Sequence, residues 1–175
     1  MNFGNFHVGD AAPSQALSLT NNVPADGFSE ALNASLGGAT GGVTTNGGSF
    51  NQLAPGGVNS SSLAVGISTA TAGAKNGIAT IGLTSDGTGS SGLGLTPLAS
   101  QTVNVTGSVY RLALPTIHSP EPVNFGNFHV GDAAPSQALS LTNDVLNDGF
   151  SEALNASLGG ATGGVTTNGG SFNQL

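Results

Sequence analysis

Residues 2–53 return almost letter for letter as residues 124–175, and no other feature restricts the possible folds of this chain so tightly. The period is 124 − 2 = 122 residues, and of the 52 aligned positions only three differ: Asn22 against Asp144, Pro24 against Leu146, and Ala25 against Asn147. All three fall just before an Asp-Gly pair, Asp26-Gly27 or Asp148-Gly149, which marks a turn tolerant of change. The 175 residues therefore comprise one complete unit, 2–123, with 115–123 as a Pro-containing linker, and the N-terminal part of a second unit, 124–175. Two front halves share one back half. Met1 stands where the period requires a counterpart of Val123, so we expect the natural sequence to run on in both directions with further copies.

Within a unit the apolar residues alternate over short runs. Leu17 and Leu19 alternate with Ala16, Ser18 and Thr20; Leu63, Val65 and Ile67 lie on one face of 62–68. Ala79, Ile81 and Leu83 form one such set, and Val103, Val105 and Val109 another. Between them stand turn-forming stretches such as Ala54-Pro55-Gly56-Gly57 and Ser85-Asp86-Gly87. About seven strands with turns every 8 to 12 residues or so are the pattern of a β-sandwich. Segment 26–38 fits two descriptions: a helix with Phe28, Ala31, Leu32 and Leu36 on one stripe, or a strand with Phe28, Leu32, Ala34 and Leu36 inward. The strand is the expectation, because a lone helix has little else helical to pack on.

Only Lys75 and Arg111 are basic, against nine carboxylates, so a phosphate backbone or an anionic membrane surface finds almost nothing to bind. We expect neither nucleic acid nor membrane insertion of this segment as a mode of action. Hydrophobic residues make up 37% of the chain, which separates it from low-charge disordered sequences. Eight Phe, one Tyr and no Trp leave the core to Leu, Val, Ile and Ala. The chain has no cysteine, which excludes a disulfide framework and thiol chemistry. The first ten residues carry no positive charge and no apolar h-region, so any export signal or anchor is expected outside this stretch.

The ordered series Phe3-Gly4-Asn5-Phe6-His7-Val8-Gly9-Asp10, Ala16-Leu17-Ser18-Leu19-Thr20-Asn21, Leu53-Ala54-Pro55-Gly56-Gly57, Thr71-Ala72-Gly73 and Val103-Asn104-Val105-Thr106-Gly107 resembles bacterial choice-of-anchor D repeats, which are similar to the ASH-type immunoglobulin-like domains. The resemblance covers the whole 122-residue unit. It implies an all-β, immunoglobulin-like β-sandwich in tandem repeats, commonly in long exported surface proteins, and brings no catalytic residues with it.

The motifs that could carry chemistry each lack a necessary part. Gly87-Thr88-Gly89-Ser90-Ser91-Gly92 matches G-x-G-x-x-G, but Leu93-Gly94-Leu95-Thr96-Pro97 cannot supply the helix that holds a pyrophosphate, so it reads as a hairpin loop. Gly37-Gly38-Ala39-Thr40-Gly41-Gly42 lacks the Lys of a phosphate loop and reads as a loop as well. His7 and His129 are one position in two copies and His118 lies in the Pro-rich stretch, with no second His or Cys at ligand spacing. Asp144, Asp148 and Glu152 lack EF-hand spacing, and Asp10 and Asp132 follow Gly in a turn. There is no G-x-S-x-G and no carboxylate pair suited to acid–base work. We therefore expect no catalytic, cofactor-binding or metal-binding residues and no enzymatic activity.

The expectation that follows is a structural repeat module of an extracellular or cell-surface fibre, stalk or adhesin, with other copies of itself as principal partner. A glycan- or protein-binding module is the alternative, for which Phe28 and Phe50 are the loop-adjacent aromatics of the first copy. The surplus front half 124–175 can compete with 2–53 for the shared back half, or recruit another chain through unpaired strand edges.

Overall fold

A computed structural model describes residues 1–175. The chain is all-β and divides into two compact units, Met1–Tyr110 and Arg111–Leu175.

The first unit contains β1 (Asn2–His7), β2 (Ser14–Ala16), β3 (Leu19–Thr20), β4 (Ala31–Gly37), β5 (Val43–Thr45), β6 (Ser49–Leu53), β7 (Val58–Asn59), β8 (Ala64–Ile67), β9 (Gly73–Ala74), β10 (Gly77–Asp86) and β11 (Leu95–Tyr110). One sheet runs β1-β11-β10-β4-β6, with β9 also on β11; a second runs β2-β8-β5, and β3 pairs with β7. All pairings are antiparallel except β1 on β11, where Phe6 lies beside Val109 and His7 beside Tyr110. The β10–β11 hairpin shifts register between Ile81 and Leu83, the mark of a bulge on β11.

The period-2 pattern explains the core. Leu63, Val65 and Ile67 from the β8 run, Ala79 and Ile81 from β10, Ala34 and Leu36 from β4, Val43 from β5 and Val105 from β11 form one buried cluster. Each strand turns alternate residues towards it, so β8 packs over β11 and β5 over β10. Two glycines permit the closeness. A Cβ on Gly66 would run into the Pro13 carbonyl oxygen, and one on Gly107 would lie 2.6 Å from Ile67 Cδ1.

Several expectations need correction. The run 15–20 is not one strand: Ser14–Ala16 pair with β8 and Leu19–Thr20 with β7, because different partners flank its two ends. Leu17 and Leu19 nevertheless share the inner side. Segment 26–38 becomes a strand only from Ala31, since Asp26 Oδ1 accepts from Phe28 N–H at 2.9 Å and bends the preceding residues into a turn. Phe28 consequently points outward and is 93% exposed, not inward as the strand pattern required. Phe50 lies in β6 and packs against the core, so it is no loop aromatic.

The second unit has β12 (Ala156–Ser157) and β13 (Ser171–Phe172). They keep the register of their counterparts: Ala156 faces Phe172 as Ala34 faces Phe50. Residues ahead of the second copy also bridge to it, Arg111 to Ser151, Pro115 to Asn143 and Ser119 to Ser140. The first compact unit thus ends at Tyr110, short of Val123 where the period closes.

Candidate functional site

A shallow groove of about 360 Å³ lies on the sheet of the first unit. Asn33 and Ser35 of β4, Asn51 of β6 and Thr84 of β10 supply its polar floor, and Leu95 and Leu98 of β11 its apolar rim. Amides and hydroxyls at strand spacing can exchange hydrogen bonds with a polar ligand. They include no nucleophile–base pair and no general acid.

The carboxylates near the groove serve the hairpin. Asp86, at the end of β10, is nearly buried; its Oδ1 accepts from Thr88 N–H at 3.0 Å and its Oδ2 from Asn33 Nδ2 at 2.9 Å. Glu30 accepts from Ser85 Oγ at 2.6 Å and from Ser91 Oγ. Hydrogen bonds hold both carboxyls below the usual carboxylate range, the Ser85 bond leading for Glu30 and, for Asp86, the bond that the Thr88 hydroxyl donates to Oδ1. Both are therefore ionised at neutral pH and act as fixed acceptors that fasten the hairpin base to the residues before β4. Sequence reading missed this pair. Only the Ser85-Asp86-Gly87 turn signature pointed to any of it.

Gly87–Gly94 closes the hairpin through Gly87 N–H to Gly94 O at 2.8 Å and Gly92 N–H to Gly87 O at 2.7 Å, and strand β11 follows directly. Gly38–Gly42 connects β4 to β5. A Cβ on Gly42 would lie 2.7 Å from the stem of Lys75, which is 6% exposed and donates to Thr71 Oγ1 at 3.0 Å.

The histidines are dispersed, each beside the carboxylate three residues on. His7 Nδ1 is 3.8 Å from Asp10 Oδ2, His129 Nδ1 is 3.7 Å from Asp132 Oδ2, and His118 Nε2 is 2.9 Å from Glu121 Oε2. In the first and second pairs the carboxylate also accepts the histidine's own N–H, at 2.7 and 2.8 Å, which makes it a turn device. No three His, Asp or Glu side chains gather where they could hold a metal ion. Of the acidic stretch in the second copy, Asp148 is paired with Arg111 Nη1 at 2.7 Å, and that hydrogen bond lowers its pKa. The Arg111 partnership was not legible from sequence, since 37 residues separate the two.

No family model matches this chain, and no curated protein matches it.

Proposed function

We propose that this chain is a structural repeat module of an extracellular fibre, stalk or surface adhesin, built from immunoglobulin-like β-sandwich units in tandem and assembling by strand pairing between chains. The observation that carries the reading is the repeat itself, 52 residues with three differences at a spacing of 122. Such fidelity suits a task performed by repetition, in which each unit contacts chiefly its neighbours. Two facing sheets around an aliphatic core support the sandwich, and the ordered motifs of the unit resemble choice-of-anchor D repeats. Asn33 of the groove and the carboxylates Glu30 and Asp86 are engaged in hydrogen bonds that hold the hairpin.

Assembly has a physical motive. The second unit leaves Leu158, Val165, Phe125 and Phe128 exposed, apolar surface that a soluble monomer seldom carries together. Unpaired strand edges of one chain can pair with those of another. Light scattering and electron microscopy test this: we expect oligomers or filaments that grow with concentration, and a strictly monomeric chain at high concentration overturns the assembly reading.

One observation favours the binding-module alternative. The exposed Phe28 and the amide-lined groove offer an aromatic and a polar surface suited to a glycan or a peptide. Specific retention on a glycan array, lost in Ser35→Ala with Asn51→Ala, would favour it over the structural role.

A further inference from the structure

One strand edge is occupied in the second copy and stands open in the first. Residues 18–21 and 140–143 both read Ser-Leu-Thr-Asn, followed by Asn22 or Asp144. In the first copy Leu17 N–H donates to Leu63 O and Asn21 N–H to Gly57 O, while Leu19 lies opposite Asn59. Residues 17, 19 and 21 therefore bond towards β7 and β8. Alternation turns the backbone groups of Ser18, Thr20 and Asn22 the other way, where none of them has a partner.

In the second copy the matching groups are taken by residues 111–119. Ser119 and Ser140 exchange backbone hydrogen bonds of 3.0 and 2.9 Å, Thr116 N–H donates to Thr142 O at 2.9 Å, and Asp144 N–H donates to Leu114 O at 2.7 Å. Past the turn, Arg111 N–H donates to Phe150 O at 2.8 Å and Glu152 N–H to Arg111 O at 2.9 Å. Their counterparts in the first copy, Phe28 O and Glu30 N–H, have no partner.

Two side chains mark the open edge as a place for a strand. Asn21 is 6% exposed and its Nδ2 donates to Glu30 O and Leu53 O, yet its Oδ1 accepts nothing. Asn143 makes the same two bonds, and its Oδ1 accepts Leu114 N–H at 2.9 Å. A nearly buried amide oxygen without a donor is satisfied when a strand docks. Asp26 spends Oδ1 on its own turn, accepting from Phe28 N–H, and Oδ2 is left over; the Oδ2 of Asp148 accepts from Arg111 Nη1 at 2.7 Å. Of the three positions at which the copies differ, only residue 22 enters these contacts, through a backbone N–H that Asn supplies as well as Asp.

We propose that the edge 18–22, with Phe28 O, Glu30 N–H and Asp26, is a β-augmentation site of the first copy, and that its occupant is the strand 111–119 of a second copy of this chain. The proposal rests on the strand-pairing reading of assembly and names its donor and its acceptor. Leu112, Leu114 and Ile117 stay exposed in the seated strand, so backbone bonds and the arginine pair carry an affinity on the order of 100 µM. Each chain's own second copy competes for the strand at an effective concentration on the order of millimolar, so exchange between chains grows with concentration.

A fluorescein-labelled peptide of residues 110–120, titrated with the full chain and followed by anisotropy, tests the site. Saturable binding is expected, about fivefold weaker for Asp26→Asn and for a peptide carrying Arg111→Ala, with little further loss when the two are combined. Thr20→Pro, whose lost N–H points away from β7, abolishes binding, and Asp148→Asn does not weaken it. The proposal is overturned by a lack of saturation up to about 1 mM, by losses at Asp26 and Arg111 that simply multiply, or by binding that Asp148→Asn weakens in place of Asp26→Asn. Light scattering separates this from assembly itself. Oligomers without peptide binding leave strand pairing to another edge, whereas peptide binding by a chain that stays monomeric keeps the site and overturns the assembly reading.

Discussion

Ile67 and Gly107 give the sharpest test of how the two sheets meet. Ile67 is fully buried in β8, and its Cδ1 lies 2.6 Å from where a Cβ on Gly107 of β11 would stand. Ile67→Val removes that methyl and leaves a small hole, costing about 1 kcal/mol. Gly107→Ala pushes a methyl into the occupied space; overpacking of this kind costs about 2 kcal/mol, partly offset by the better strand propensity of Ala. In the double variant the new Cβ enters the volume the lost Cδ1 vacated, so the total should be about 0.5 kcal/mol and the coupling about 2 kcal/mol. Urea denaturation of the four chains, at unchanged m, gives the cycle. Additivity to within about 0.5 kcal/mol would refute the packing of β8 on β11 at this point.

Three further expectations are simpler. Glu30, Asp86 and Asp148 have folded pKa values below their ordinary ones, so their contribution is complete above the ordinary carboxylate range and is lost as pH falls through the folded values; Tm should be level down to about pH 5 and then decline, less steeply in Glu30→Gln. Lys75 is buried with a single hydroxyl partner, so by thermal melting Lys75→Met should keep or raise stability, whereas Lys75→Glu should lose about 2 kcal/mol or more. Thr69 is buried and donates its hydroxyl to Asp10 O at 2.6 Å; Thr69→Val, nearly isosteric, should cost about 1 kcal/mol by urea titration.

The two copies separate what is local in this sequence from what is not. Hydrogen bonds within one half recur in both: Gly4 N–H to Asn2 Oδ1 and Gly126 N–H to Asn124 Oδ1, each at 2.9 Å and two residues apart, or Gln52 N–H to Asn33 Oδ1 and Gln174 N–H to Asn155 Oδ1, 19 residues apart. Asn21 and Asn143 likewise each hold two carbonyls of their own half. Of these only the turn at Asn2–Gly4 and its copy is encoded within a few residues, by Asn and Gly. Strands were legible as alternation, but their extent was not. Ala31–Gly37 forms a seven-residue strand beside β10, whereas the same letters at 153–159 form strand only at Ala156–Ser157. Extent depends on a partner distant in sequence, which periodicity cannot name. The Glu30–Ser85–Ser91 cluster and the Arg111–Asp148 pair escaped sequence reading for the same reason.

The parallel pairing of β1 with β11 acquires a mechanical meaning once a unit is placed under tension. Its two ends leave from neighbouring strands in opposite directions: pulling on Met1 draws β1 one way, and pulling beyond Tyr110 draws β11 the other. The load falls along the strands, so the hydrogen bonds from Asn2–Thr106 to His7–Tyr110 are sheared together instead of being unzipped in turn. Rupture then requires the whole ladder to fail at once, which raises the barrier to forced unfolding, the quantity that governs how long a strained link survives. A link of this kind grips hardest along the axis of the chain and yields to a pull that peels β1 outward from its edge.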